Sequence, residues 1–211
     1  MGLTRSFYKV LLAKKMKVFS ILDLPELPKD IIDIIEDSKT GSLKQKISQQ
    51  KIKQLDNTEV DDAIYSRWPL TDRYTQFINN LIPELEGLTL TIGFQSIKAN
   101  GNNICQLHPH TDGKTRGPFC ISFLLTSGGT NVETIWWQEN GKELIRDPWS
   151  HCFDLNVLSK VNSTIFPSHR WNIMRTDLIH SVHNINNDRK AFTIGFFDES
   201  IFNIIISKYG V

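Results

Sequence analysis

Two stretches carry residues whose types and spacing could do chemistry. The first is Asn103-Ile-Cys-Gln-Leu-His-Pro-His-Thr-Asp112 and the second is Asp177-Leu-Ile-His-Ser-Val-His, followed by Asn-Ile-Asn-Asn-Asp-Arg-Lys-Ala-Phe-Thr193. In an extended strand, side chains at i, i+2 and i+4 share a face, so His108, His110 and Asp112 are expected to point one way. Two imidazoles and a carboxylate turned inward offer ligands to a metal. A set of two histidines and one carboxylate on one side of a cation leaves about three positions open on the other, which suits iron(II) binding a chelating cosubstrate and oxygen together. His110 and Asp112 with a distal His180 would make that set.

The elements that must position these residues are strands. Leu88 to Ala99 alternates as a long strand, Asn100-Gly101 signals a turn, and Ile104 to Asp112 returns as the ligand strand. Phe119 to Thr126 is apolar on both parities, as a strand covered on both faces should be. Glu133 to Gln138, Asn140-Gly141 and Lys142 to Ile145 read as a hairpin. Further β-like runs lie at Cys152 to Val157, Val161 to Phe166, Trp171 to Arg175, His180 to Ile185 and Arg189 to Phe197. So many strands without intervening helices imply an antiparallel barrel or sandwich. Along the last strand Arg189, Ala191 and Thr193 share one face and Lys190 and Phe192 the other. An unpaired guanidinium in a core is costly, so something anionic should meet Arg189. With Thr193 it would hold a dicarboxylate by its far end.

Before residue 88 the sequence reads as a helical or mixed part packing on the barrel, within one domain overall. A short strand is expected around Val18 to Leu22, and Ile31, Ile32, Ile34 and Ile35 mark an amphipathic helix closing near Gly41. Residues 42–55 are polar and Lys-rich and read as a solvated helix or mobile loop. Tyr65 to Pro69 reads as a loop, and Thr71 to Ile82 as a helix with Tyr74, Phe77, Ile78, Leu81 and Ile82 on its stripe. The tail from Glu199 to Val211 is apolar enough for a last helix packed on the barrel or a homodimer contact.

The chain has 211 residues and a net charge of +1, which argues against a nucleic-acid surface over the whole domain. No apolar run reaches membrane-spanning length and no signal peptide is evident, so the chain is expected in the cytosol. The three cysteines show no paired spacing and read as free thiols.

The register of His110-Thr-Asp112, His180 and Arg189, with Val182 two residues after the distal histidine, resembles the iron(II)- and 2-oxoglutarate-dependent dioxygenases. The resemblance spans about half of the chain, from Leu90 to Phe197. It implies a double-stranded β-helix, a jelly-roll or cupin-like barrel that is mainly β with flanking helices, as the core at residues 88–198. It also implies iron(II) on His110, Asp112 and His180, and O2 and 2-oxoglutarate as cosubstrates, with the C5 carboxylate on Arg189 and Thr193. Hydroxylation of an unidentified substrate is the implied outcome, with a peptidyl or free amino-acid side chain the leading expectation. The nucleic-acid-dealkylating branch has a second arginine where this chain has Gly195, and Asp112 argues against the halogenating branch. The competing class is a cupin-like barrel that binds a metal or ligand without oxidising anything.

Several residues keep two readings. His108 is expected as a neighbour of the ligands, and His183 as scaffold rather than the distal ligand. Asn102, Ile104 and Gln106 either line the cosubstrate pocket or fill the barrel. Trp136 and Trp137 must face opposite ways, one core and one available to substrate.

Overall fold

The computed structural model describes residues 17–38, 52–54, 59–60, 64–69, 74–98, 105–112, 116–141 and 153–211. Twelve strands are seen among them: β1 (Phe19–Leu22), β2 (Ile52–Gln54), β3 (Glu59–Val60), β4 (Ile64–Pro69), β5 (Thr91–Lys98) and β6 (Cys105–His110), then β7 (Phe119–Ser127), β8 (Glu133–Glu139), β9 (Leu158–Thr164), β10 (Trp171–Arg175), β11 (His180–Ile185) and β12 (Arg189–Phe196). Three helices flank them: α1 (Lys29–Ser38), α2 (Thr75–Leu81) and α3 (Glu199–Tyr209).

The strands form two antiparallel sheets, ordered β1-β10-β7-β12-β5-β4 and β3-β2-β6-β11-β8-β9. From β5 onward the chain passes back and forth between the sheets, so that β5-β12-β7-β10 lies in one and β6-β11-β8-β9 in the other. That interleaving is a jelly roll wound as a double-stranded β-helix, and the strand order by itself establishes it.

Packing explains why β7 and β12 are apolar on both parities. Ile121, Phe123, Phe192, Ile194 and Phe196 face outward into one continuous core with Ile78 of α2, Ile82 at its end, and Phe202, Ile205 and Ile206 of α3. Leu124 and Ala191 face inward and pack with Trp136 of the other sheet. Each fully buried aromatic of this kind contributes about 1.5–3 kcal/mol. α3 is the expected last helix on the barrel. The Asp198 side chain accepts from the Ser200 and Ile201 amides at its start, and the Gly210 amide donates back to Ile206 at its end.

Differences from the sequence reading have local causes. Ile64–Pro69 is an edge strand on β5 rather than a loop, with Pro69 at its end where no ladder bond is lost. Within the expected strand at 152–157, Leu155–Val157 is a 3-10 turn because the Asp154 carboxylate accepts from the Asn156 amide at 2.9 Å. β8 pairs with β11 and β9, while residues 142–145, the expected second arm of its hairpin, lie outside the described residues. The Asn100-Gly101 turn and most of the Lys-rich segment also lie outside them. No helix among the described residues is long and apolar enough to cross a membrane.

Candidate metal centre

The last residue of β6 and the first of β11 stand opposite each other, His110 against His180. Both are buried, their ring centroids are 4.5 Å apart, and Asp112 lies just past the end of β6. One ligand atom from each of the three falls within 4.8 Å of the others, and among the described residues this is the cluster that could hold a metal.

The imidazoles are held the same way. His110 Nδ1 lies 2.6 Å from the His108 carbonyl and His180 Nδ1 lies 2.9 Å from the Leu178 carbonyl. A carbonyl can only accept, so each Nδ1 carries a proton, and in the neutral ring that tautomer leaves Nε2 as the nitrogen with the lone pair. Burial, with the His180 charge next, pushes the His110 pKa down to about 4 despite the pull of Asp112, so this ring is neutral, as a ligand must be. One imidazole nitrogen from each histidine and one carboxylate oxygen fit iron(II) by donor chemistry.

Asp112 is fixed by contacts that its own strand does not provide. Its backbone amide donates to the Thr176 carbonyl at 3.0 Å, and its Oδ1 accepts from Arg116 Nη1 at 3.0 Å while lying 3.7 Å from His110 Nε2. Sequence reasoning passed over Arg116. The i, i+4 spacing from Asp112 was the available signal.

The expectation that Gln106 and His108 share the face of His110 fails. Leu107 pairs with Val182 and His110 with His180, so three steps on β6 match two on β11 and a bulge lies between. Leu107 therefore faces inward with Ile97, Val182 and Ile185. Alternation turns the buried Gln106 the other way, and His108 falls on the outer face, near enough to His183 for their charges to interact. His183 is on that outer face too, beside the Trp137 ring at 5.9 Å, with its Nε2 buried and unpartnered among the described residues. His169 is exposed, and His151 lies outside the described residues.

The tryptophans divide as required. Trp136, opposite His180, is fully buried inside the barrel, stacked on Phe19 at 5.1 Å with Nε1 donating to the Arg175 carbonyl. Trp137 is outward and donates to Ser181 Oγ at 2.7 Å. The partly exposed one is thus Trp137, on the face away from the triad.

Arg189, Ala191 and Thr193 do share the inward face of β12. Arg189 Nη1 donates to the Ser127 carbonyl at 2.7 Å, and Thr193 Oγ1 donates to the Gly93 carbonyl at 3.1 Å. The two residues are about 13 Å apart along the strand. A carboxylate shared by both would therefore require the Arg189 side chain to swing along the barrel. Among the described residues no carboxylate pairs with Arg189, and burial pushes its pKa down to about 10. Arg175 is the contrast. Burial opposes its charge, but hydrogen bonds to Asp177 at 2.8 Å and Glu199 at 2.6 Å outweigh that and hold its pKa above the usual value. A wide cleft of about 790 Å³ lies away from the triad, at the β11–β12 turn, lined by Ser127, Gly128, Gly129 and Asn186 among others.

No family model and no curated protein sequence matches the chain. Solved structures do. A prolyl hydroxylase from Trichoplax adhaerens, in complex with a hypoxia inducible factor oxygen degradation domain peptide, is 12% identical with a TM-score of 0.48, covering 95% of this chain and 97% of that one. A Pseudomonas putida prolyl-4-hydroxylase is 11% identical with a TM-score of 0.45, covering 90% and 98%. A 2OG-Fe(II) oxygenase family oxidoreductase from Burkholderia pseudomallei is 10% identical with a TM-score of 0.39, covering 77% and 78%. The neighbours of this chain among solved structures thus include prolyl hydroxylases and a 2OG-Fe(II) oxygenase family oxidoreductase.

Proposed function

We propose that this protein is a non-haem iron(II) oxygenase that couples oxidative decarboxylation of 2-oxoglutarate to hydroxylation of a substrate, with a peptidyl or free amino-acid side chain as the substrate class. The observation that carries this reading is one barrel interior holding both the His110, Asp112 and His180 cluster and an arginine without a carboxylate partner among the described residues.

The chain's residues divide the work. His110 and His180 would give Nε2 lone pairs and Asp112 a carboxylate oxygen, leaving the far side of the cation open. Arg189 would meet the distal carboxylate of the cosubstrate, which supplies the countercharge that a buried guanidinium lacks. Thr193, four residues along on the same face, would donate its hydroxyl hydrogen to that carboxylate once its bond to the Gly93 carbonyl is released. Iron(II) bound there supplies the redox chemistry: oxygen and 2-oxoglutarate are consumed, and succinate, carbon dioxide and the hydroxylated substrate result. Trp136 and Phe19 wall the barrel beside His180 and exclude water from that side.

The test needs no substrate. Iron(II) and then 2-oxoglutarate are added without oxygen, and the visible metal-to-ligand charge-transfer band of the chelate is recorded. The expected result is a band that is lost in His110→Ala and that, in Arg189→Ala, requires at least ~10-fold more 2-oxoglutarate with iron affinity unchanged. Iron bound with no band would instead support a cupin-like barrel that oxidises nothing.

A further inference from the structure

Asp112 poses a physical problem that the two histidines do not. His110 and His180 sit in paired strands, whereas Asp112 is two residues past the end of β6, and a carboxylate there must be aimed by something else.

The contacts around it close into a ring. The Asp112 amide donates to the Thr176 carbonyl. The Thr176 amide donates to the Pro118 carbonyl at 2.8 Å and its Oγ1 to the Gly117 carbonyl at 3.1 Å. Residues 116 and 117 press on the end of β12. A Cβ on Gly195 would come within 2.0 Å of the Arg116 carbonyl oxygen, and a Cβ on Gly117, whose φ is +83°, within 2.2 Å of the Phe196 carbonyl oxygen. From this seat the Arg116 side chain, one-fifth exposed, turns back to Asp112 Oδ1.

We infer that Arg116 is a positioning residue for the carboxylate ligand, and that Gly195 sets its place by letting the 116–117 backbone lie directly on β12. The inference rests on the reading of His110, Asp112 and His180 as a metal site. A charged donor on Oδ1 fixes how the carboxylate is turned, so Asp112 need not be ordered when the cation arrives, which is how partners of ligand carboxylates usually act. The opposing effect is repulsion, because Arg116 also places a positive charge near a dication. The sign of the mutational effect therefore decides which dominates. Gly195 also makes sense of a departure from the nucleic-acid-dealkylating pattern: an arginine at 195 would have to displace the segment that carries Arg116.

Anaerobic iron(II) titration with a competing chelator tests this in the full chain. Arg116→Gln is expected to weaken iron binding ~10-fold or more and Arg116→Lys to restore part of the loss, with the melting temperature of the metal-free protein little changed. Gly195→Ala is expected to weaken binding in the same direction, and the Gly195→Ala, Arg116→Gln double variant to lose no more than the worse single one, since both act through one contact. Unchanged or tighter iron binding in Arg116→Gln would overturn the inference even if Gly195→Ala failed to fold. Failure of the unmutated protein to bind iron at all would remove the metal site itself, and the inference with it.

Discussion

β6 and β11 each carry two histidines, and the two pairs have opposite fates. His110 and His180 point into the barrel, face each other across the ladder and have Nδ1 tied to the carbonyl two residues upstream. His108 and His183 point out, near each other; His183 also lies near Glu133 and Lys160 and keeps a buried Nε2 with no partner among the described residues. Residue type and strand are the same, so neither makes a ligand. What separates the inner pair is a fixed tautomer, a common direction and a carboxylate within reach.

The comparison breaks most decisively under deletion. His180→Ala is expected to abolish iron binding in an anaerobic titration, while His183→Ala leaves it within about twofold. The reverse result would exchange the roles of the two faces.

A second test uses protons in the metal-free protein. His110 is held neutral down to about pH 4 by burial and by the His180 charge, whereas in the unfolded chain it takes up a proton near its ordinary 6.5. A folded-state pKa that is depressed gives stability present above the unfolded value and lost as pH falls toward the folded one. Urea unfolding should therefore show stability falling between about pH 6.5 and pH 4, by on the order of 3 kcal/mol at most. In His110→Gln that fall should shrink. An equal fall would assign the titration to other groups, His183 first, since its pKa is also pushed down by burial.

The smallest effect is expected at His183 itself. His183→Leu removes a buried nitrogen that has no partner among the described residues and keeps an apolar body beside Trp137, so stability should change by less than about 1 kcal/mol, in the stabilising direction. A clear loss of stability would mean that Nε2 has a partner in solution.

The strands from β10 to β12 lie where alternation and turn residues put them, because each is a local pattern bounded by local signals. The inward parity of Arg189, Ala191 and Thr193 was legible for the same reason, since β12 alternates regularly from Arg189 to Phe196. The bulge in β6 was not. It arises from pairing with β11, some seventy residues away, and it reverses the face of Gln106 and His108 relative to His110. Arg116 was hidden for a related reason: its seat on Gly195 is a tertiary contact. The division between Trp136 and Trp137 likewise depended on which strands would cover β8.

The interleaved strand order also has a kinetic consequence. β5 finds its neighbour in β12, and β6 in β11, so these pairs close loops of roughly 70 to 100 residues. Chains dominated by such distant pairings fold on the millisecond-to-second scale, because loop entropy is lost before any contact compensates it. The pairing that sets His110 against His180 is therefore expected late in folding. During refolding, the moment of iron capture would time the completion of the barrel.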